Sequence, residues 1–200
     1  MAGLLQIERA VLVSVDLQGK LMDMVHEPGR LLEANHRYLQ IAAMFEVPLV
    51  LTEQYPEGLG ETHAGLLERF DALPSAKARV RKTSFGCCGE PSFLEALRTL
   101  GKVDDVADLQ VVLAGIETHI CVLQTALGLI DLGADVYLAW DCTSARGEAY
   151  HRHGVERMQQ AGVSVINHES LGFELARDKE HPAFRDFSKM LRPGQPGEHG

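Results

Sequence analysis

The 200-residue chain has no apolar run close to the ~18 residues that a membrane-spanning helix requires, so no membrane segment is expected. Met1 to Ala10 lack a basic segment followed by an apolar stretch, which argues against a secretory signal and leads to the expectation of a cytoplasmic protein. Basic residues are in the minority. The net charge of -9 would repel a polyanion, and no dense cluster of Lys and Arg offsets it, so nucleic-acid binding is not expected. Cysteines number four, and two of them, Cys87 and Cys88, are adjacent. In a chain long enough to bury a large core that is no disulfide framework, and free thiols are expected. Also missing are a G-x-S-x-G elbow, a G-x-x-x-x-G-K-[ST] loop and a G-x-G-x-x-G after the first apolar run. Their absence disfavours serine hydrolase, P-loop and dinucleotide-binding oxidoreductase readings.

What is present is a regular alternation. Short runs of β-branched and aliphatic residues fall at Val11 to Val15, Pro48 to Leu51, Ala78 to Lys82, Leu109 to Ala114, Asp135 to Ala139 and Val163 to Ile166. They read as six strands. Between them, Leu31, Ala34, Tyr38, Ala42 and Phe45 repeat at helical spacing, as do Phe93, Ala96, Leu97 and Leu100, then Ile120, Leu123, Leu127 and Ile130. Gly101, Gly133 and Gly162 are expected to end helices in a left-handed conformation, and Ser144 to cap the start of one. Strands alternating with helices, several of them apolar throughout, imply a doubly wound, Rossmann-like α/β fold: a six-stranded, mostly parallel sheet with helices on both faces. One domain is expected over 1–191, with a flexible Pro- and Gly-rich tail over 192–200. Tyr55 to Ala64, carrying Pro56, Gly58 and Gly60, reads as a loop over one end of the sheet.

In such folds ligands sit beyond the carboxyl ends of the strands. The polar residues there are Asp16, Thr52 to Tyr55, Lys82 to Ser84, Glu117 to Cys121 and Asp141. Taken singly they are unremarkable: an Asp at a strand end more often caps a helix, a Lys on an alternating strand is more often solvated, and a Cys in an apolar helix is more often an inert core thiol. Cys121 has a further signal. It begins a helix, where unpaired N–H groups and the dipole favour a thiolate and could hold an oxyanion.

Together these residues carry a resemblance. Asp16 after the first strand, Lys82 after the third, and Gly115-Ile116-Glu117-Thr118-His119-Ile120-Cys121-Val122 resemble the pattern of the isochorismatase-like hydrolases over roughly residues 8 to 176. Thr52-Glu53-Gln54-Tyr55-Pro56-Glu57-Gly58-Leu59-Gly60 looks like the isochorismatase-domain-containing subgroup. The resemblance implies a cysteine hydrolase in which Cys121 attacks, Asp16 takes its proton and Lys82 supports Asp16, passing through a thioester on the way to an acid. It also implies a cis bond between Ile116 and Glu117, with the Glu117 and Cys121 amides forming the oxyanion hole, and a homo-oligomer of at least two chains. The expected substrate is a small molecule, an amide or an isochorismate-type vinyl ether. The alternative is a catalytically silent binding or scaffolding protein on the same fold.

The metal-binding Asp and His residues that nicotinamidases of this superfamily carry after the second strand are missing from Thr52-Glu53-Gln54-Tyr55, so neither a catalytic metal nor another cofactor is expected. His63 reads as a solvated loop residue, and His151 and His153, two apart on a helix, make a poor metal pair. Gln18 and Gln54 are candidate substrate-orienting amides. Cys87, Cys88 and Cys142 read first as structural thiols, with Cys87-Cys88 near enough to Lys82 to line a pocket.

Overall fold

In the computed structural model, which describes residues 3–192, six strands form one sheet in the order β3-β2-β1-β4-β5-β6. They are β1 (Ala10–Val15), β2 (Leu49–Gln54), β3 (Lys77–Lys82), β4 (Gln110–Ile116), β5 (Asp135–Ser144) and β6 (Ser164–Ile166). Every pairing between them is parallel. The part of the expected tail over 193–200 lies outside the described residues.

The helices are α1 (Gly19–Met22), α2 (Pro28–Met44), α3 (Pro56–Leu59), α4 (Ala64–Asp71), α5 (Pro91–Gly101), α6 (Leu123–Asp131), α7 (Glu148–Gln160), α8 (His168–Ala176) and α9 (Phe184–Met190). They divide between two cores. Leu12, Leu49, Leu51 and Val112 pack with residues of α2, α4, α8 and α9 on one face. Val11, Val13, Val15, Val50 and Val80 pack with residues of α5, α6 and α7 on the other. The alternation within each strand assigns its side chains to the two layers, and the central strands are apolar on both faces because both are covered.

Two punctuation signals fall elsewhere than expected. Gly101 stays inside α5, and the left-handed residue is Lys102 at φ 55°. Gly101 serves packing instead, since a Cβ there would lie 2.5 Å from Leu109 Cδ2. Ser144 ends β5 rather than capping a helix; its hydroxyl donates to His26 O, and Gly147 precedes α7. Gly133 and Gly162 take the expected positive φ values of 85° and 101°.

β5 runs further than its sequence signal because of a bulge. Leu113 pairs with Leu138 and Gly115 with Thr143, so a two-residue step on β4 matches a five-residue step on β5. The surplus carries Trp140 outward, 43% exposed, and returns Thr143 and Ser144 to the carboxyl end of β4. The Tyr55 to Ala64 loop is more structured than expected. It contains α3 and is fastened back by an isolated antiparallel bridge between Gln18 and Thr62.

Candidate active site at the carboxyl ends of β1, β3 and β4

Asp16 follows β1 directly and adopts φ 52°, a left-handed conformation that Asp tolerates better than most residues. The turn leaves its carboxylate fully buried. Thr52 Oγ1 donates to Oδ1 at 2.7 Å and Lys82 Nζ to Oδ2 at 2.7 Å. Lys82 reaches Asp16 across the intervening β2. On β3, Val80 and Lys82 share the covered face while Arg79 and Arg81 lie on the other, so the strand alternation that suggested a solvated Lys in fact turns it inward. Its ammonium faces four oxygens: Asp16 Oδ2, Gln54 Oε1 at 2.8 Å, Phe85 O at 3.0 Å and Ser84 O at 3.1 Å. Burial of a charged pair is tolerable only with this degree of compensation.

Cys121 enters from β4 through a π-helical turn, Thr118–Val122, that precedes α6. The Ile116–Glu117 peptide at the head of that turn is cis. Gly115, at φ 119°, is required here because a Cβ would lie 2.0 Å from Val15 O. That close approach brings the β4 exit against the β1 exit, and so Cys121 against Asp16. Burial pushes the Cys121 thiol up to about 12; the charge and hydrogen bond of Asp16 add to the rise, and Lys82 opposes it. Desolvation and the neighbouring carboxylate thus oppose the helix start, which by itself would favour a thiolate.

The two glutamines are engaged with the protein itself. Gln18 Nε2 donates to Gln54 O and Gly60 O, and its Oε1 accepts from Gln54 N, so the side chain ties β2 to the following loop. Gln54 donates to Thr83 O and accepts from Lys82. Both thereby help hold the frame of the site.

Cys87, read first as a structural thiol near Lys82, lies beside the ion pair, and Thr125, not singled out from the sequence, joins it to the Cys121 turn. The Cys87 thiol lies 3.8 Å from Thr52 Oγ1, whose own hydrogen goes to Asp16, placing a second thiol beside the ion pair; burial raises it to about 11. Thr125 donates to Cys121 O at 2.7 Å and accepts from Cys87 N at 3.0 Å. A Thr four residues after the Cys in a helical stretch was the available signal for that bond. On the opposite face, Glu53 Oε1 accepts from Thr62 N, Thr62 Oγ1 and Arg79, pinning the loop after α3.

Among the described residues, Asp141, Cys142 and His168 bring ligand-type atoms within 4.8 Å of one another. Each already has protein partners. Asp141 accepts from His168 N and pairs with His168 Nδ1 at 2.5 Å, and Cys142 Sγ lies 3.5 Å from Ala34 O in the core. All four cysteines are free.

The isochorismatase domain model matches residues 10–170. The chain belongs to the isochorismatase family. Isochorismatase domain-containing protein 2 of Rattus norvegicus is 34% identical over 193 residues, covering 94% of this chain and 84% of that protein. The solved structure of a MAR1 ribonuclease from Caenorhabditis elegans superposes with a TM-score of 0.84 at 29% identity, over 97% of this chain and 95% of that one. The Escherichia coli YcaC product, described as an octameric hydrolase of unknown specificity, superposes with a TM-score of 0.80 at 22% identity, over 96% of each chain, and shares the fold. An isochorismatase-like hydrolase family is thus established for the chain. No described helix is long and apolar enough to cross a membrane.

Proposed function

We propose that the chain is a metal-independent cysteine hydrolase acting on a small amide-type substrate, with Cys121 as nucleophile, Asp16 as general base and Lys82 as its counter-charge. The observation that carries this reading is the meeting of three side chains from separate strand exits, one a thiol and the other two a buried ion pair at 2.7 Å. The resting proton on Cys121 has an acceptor in Asp16. As sulfur bonds to the carbonyl carbon, that proton passes to Asp16 and then to the departing amine, leaving a thioester. Water adds to the thioester, gives its proton to Asp16, and the acid departs as Cys121 recovers its proton. The backbone N–H groups of Glu117 and Cys121 are assigned to the developing oxyanion. Lys82 neutralises Asp16 in each step in which it is ionised, and Gln54 fixes Lys82.

A small-molecule substrate fits a chain of net charge -9 better than a polyanion does, so the ribonuclease named for the nematode relative is not carried over. The octamer described for YcaC supports a homo-oligomer here. A panel of small amides, with an isochorismate-type vinyl ether included, tests the reaction against wild type and Cys121→Ala. Turnover of an amide by wild type alone, with an acyl adduct on Cys121 by intact mass, is the expected result. Turnover of the vinyl ether instead moves the bond class, while equal turnover by Cys121→Ala removes the nucleophile. A stably folded wild type that transforms nothing in the panel, yet binds panel members, favours the silent binding protein.

A further inference from the structure

The turn that carries Cys121 is held from outside by α7. Thr118 Oγ1 lies 2.8 Å from Ser144 O and 2.8 Å from His151 Nδ1. A hydroxyl has one hydrogen, and a carbonyl can only accept, so the Thr118 hydrogen goes to Ser144 O. His151 Nδ1 must then carry a hydrogen and donate it to Thr118 Oγ1. One arrangement of hydrogens satisfies both contacts. It leaves Thr118 fixed between the returning end of β5 and the first half of α7. Burial lowers His151 below its ordinary value, with the Arg30 and His26 charges adding to the fall and Glu148 opposing it, which leaves the ring neutral at pH 7 and consistent with a single Nδ1–H tautomer.

A second contact lies one turn further along. A Cβ at Gly154 would meet His119 N at 3.0 Å and Thr118 C at 3.1 Å, so α7 rests its backbone directly on the turn. His119 in turn stacks on Tyr150, with ring centroids 5.1 Å apart and planes 17° from parallel. Tyr150, His151 and Gly154 thus grip the two residues between Glu117 and Ile120.

We propose that His151 is a positioning residue for the Cys121 turn, its Nδ1–H bond to Thr118 setting where the sulfur sits relative to Asp16. The inference rests on the cysteine-hydrolase reading for its functional meaning. It touches no substrate. It acts through Thr118, and its effect is on the coupling between Cys121 and Asp16.

Two measurements test it. In the wild-type protein, long-range nitrogen–proton NMR correlations on the imidazoles report the tautomer of His151; the Nδ1–H form is expected, and the Nε2–H form would overturn the assignment. The second is a cycle read by peptide-resolved mass spectrometry of iodoacetamide labelling at Cys121. In wild type, Asp16→Asn is expected to change the Cys121 rate at least about fivefold, the size of a coupling near 1 kcal/mol. In the His151→Ala background that effect shrinks toward unity. His151→Asn, whose Nδ2 can occupy the place of Nδ1, restores it. An undiminished Asp16→Asn effect in His151→Ala, or no restoration by His151→Asn, overturns the positioning role alone. If Asp16→Asn leaves the rate unchanged in wild type, the catalytic reading itself falls, whatever the tautomer proves to be.

Discussion

Lys82 Nζ and Asp16 Oδ2 stand 2.7 Å apart with both side chains fully buried, although a whole strand separates the two backbones. Removing one partner strands the other's charge in the core, which costs about 3–5 kcal/mol in comparable pairs. Lys82→Met is expected to lower unfolding free energy by that amount. Asp16→Asn combined with Lys82→Met is expected to cost much less than the sum of the single changes, because the double variant leaves no bare charge. Urea unfolding of the four proteins gives the cycle, and additive losses would show that the two charges do not interact.

The thiol titration has a definite sign. Cys121 is raised to about 12, so its labelling by iodoacetamide should climb through the alkaline range without a plateau below pH 9. Asp16 raises the thiol and Lys82 lowers it, so Asp16→Asn should speed labelling while Lys82→Met slows it. Amide turnover should fall in both variants, by about 10²-fold or more for loss of a general base. Labelling and turnover moving together in Asp16→Asn would remove the general-base role.

The six mostly parallel strands and the two covered faces were legible because both follow from strand periodicity, whereas Asp16, Lys82 and Cys121 were singled out together only through the family resemblance. The upward shift of the Cys121 thiol was not legible. The helix start is written locally, whereas burial comes from the tertiary packing and the Asp16 charge from a residue more than a hundred positions away. Gln18 and Gln54 were recognisable as polar residues at strand exits, but what they bond depends on how the Tyr55 to Ala64 loop folds back. Ser144 carried a helix-cap signature that β5 overrode, since its bulge extends the strand to that residue. His151 had no sequence signal for its bond to Thr118, 33 residues earlier in the chain.

Gly115 offers a steric prediction. A Cβ placed 2.0 Å from Val15 O cannot be relieved by a side-chain rotation, because the obstacle is backbone of the central strand. Gly115→Ala must separate β1 from β4 or abandon φ 119°. A loss of about 4 kcal/mol or more is expected, at the upper end for single substitutions. Gly162→Ala makes the comparison, because it has positive φ but nothing within 4 Å, so it should lose only about 1 kcal/mol. Equal losses would show that backbone conformation, not the contact with Val15, makes Gly115 necessary.

Glu53 connects the loop frame to pH. Burial raises its carboxyl, but the Arg79 bond at 2.7 Å and the Thr62 bonds at 2.8 and 2.9 Å outweigh that, and the net shift is downward. A group depressed in the folded state stabilises it above the unfolded value of about 4.3 and loses that contribution as pH falls through the folded value. Glu53→Gln should therefore be less stable than wild type at pH 7, by about 1–3 kcal/mol for hydrogen bonds to a charged group, with the difference closing below pH 4. Because Thr62 also bridges to Gln18, the variant should free the loop around α3, read as faster amide exchange at Thr62 and His63. A stability difference that persists unchanged to pH 3 would mean the carboxylate charge does not hold the loop.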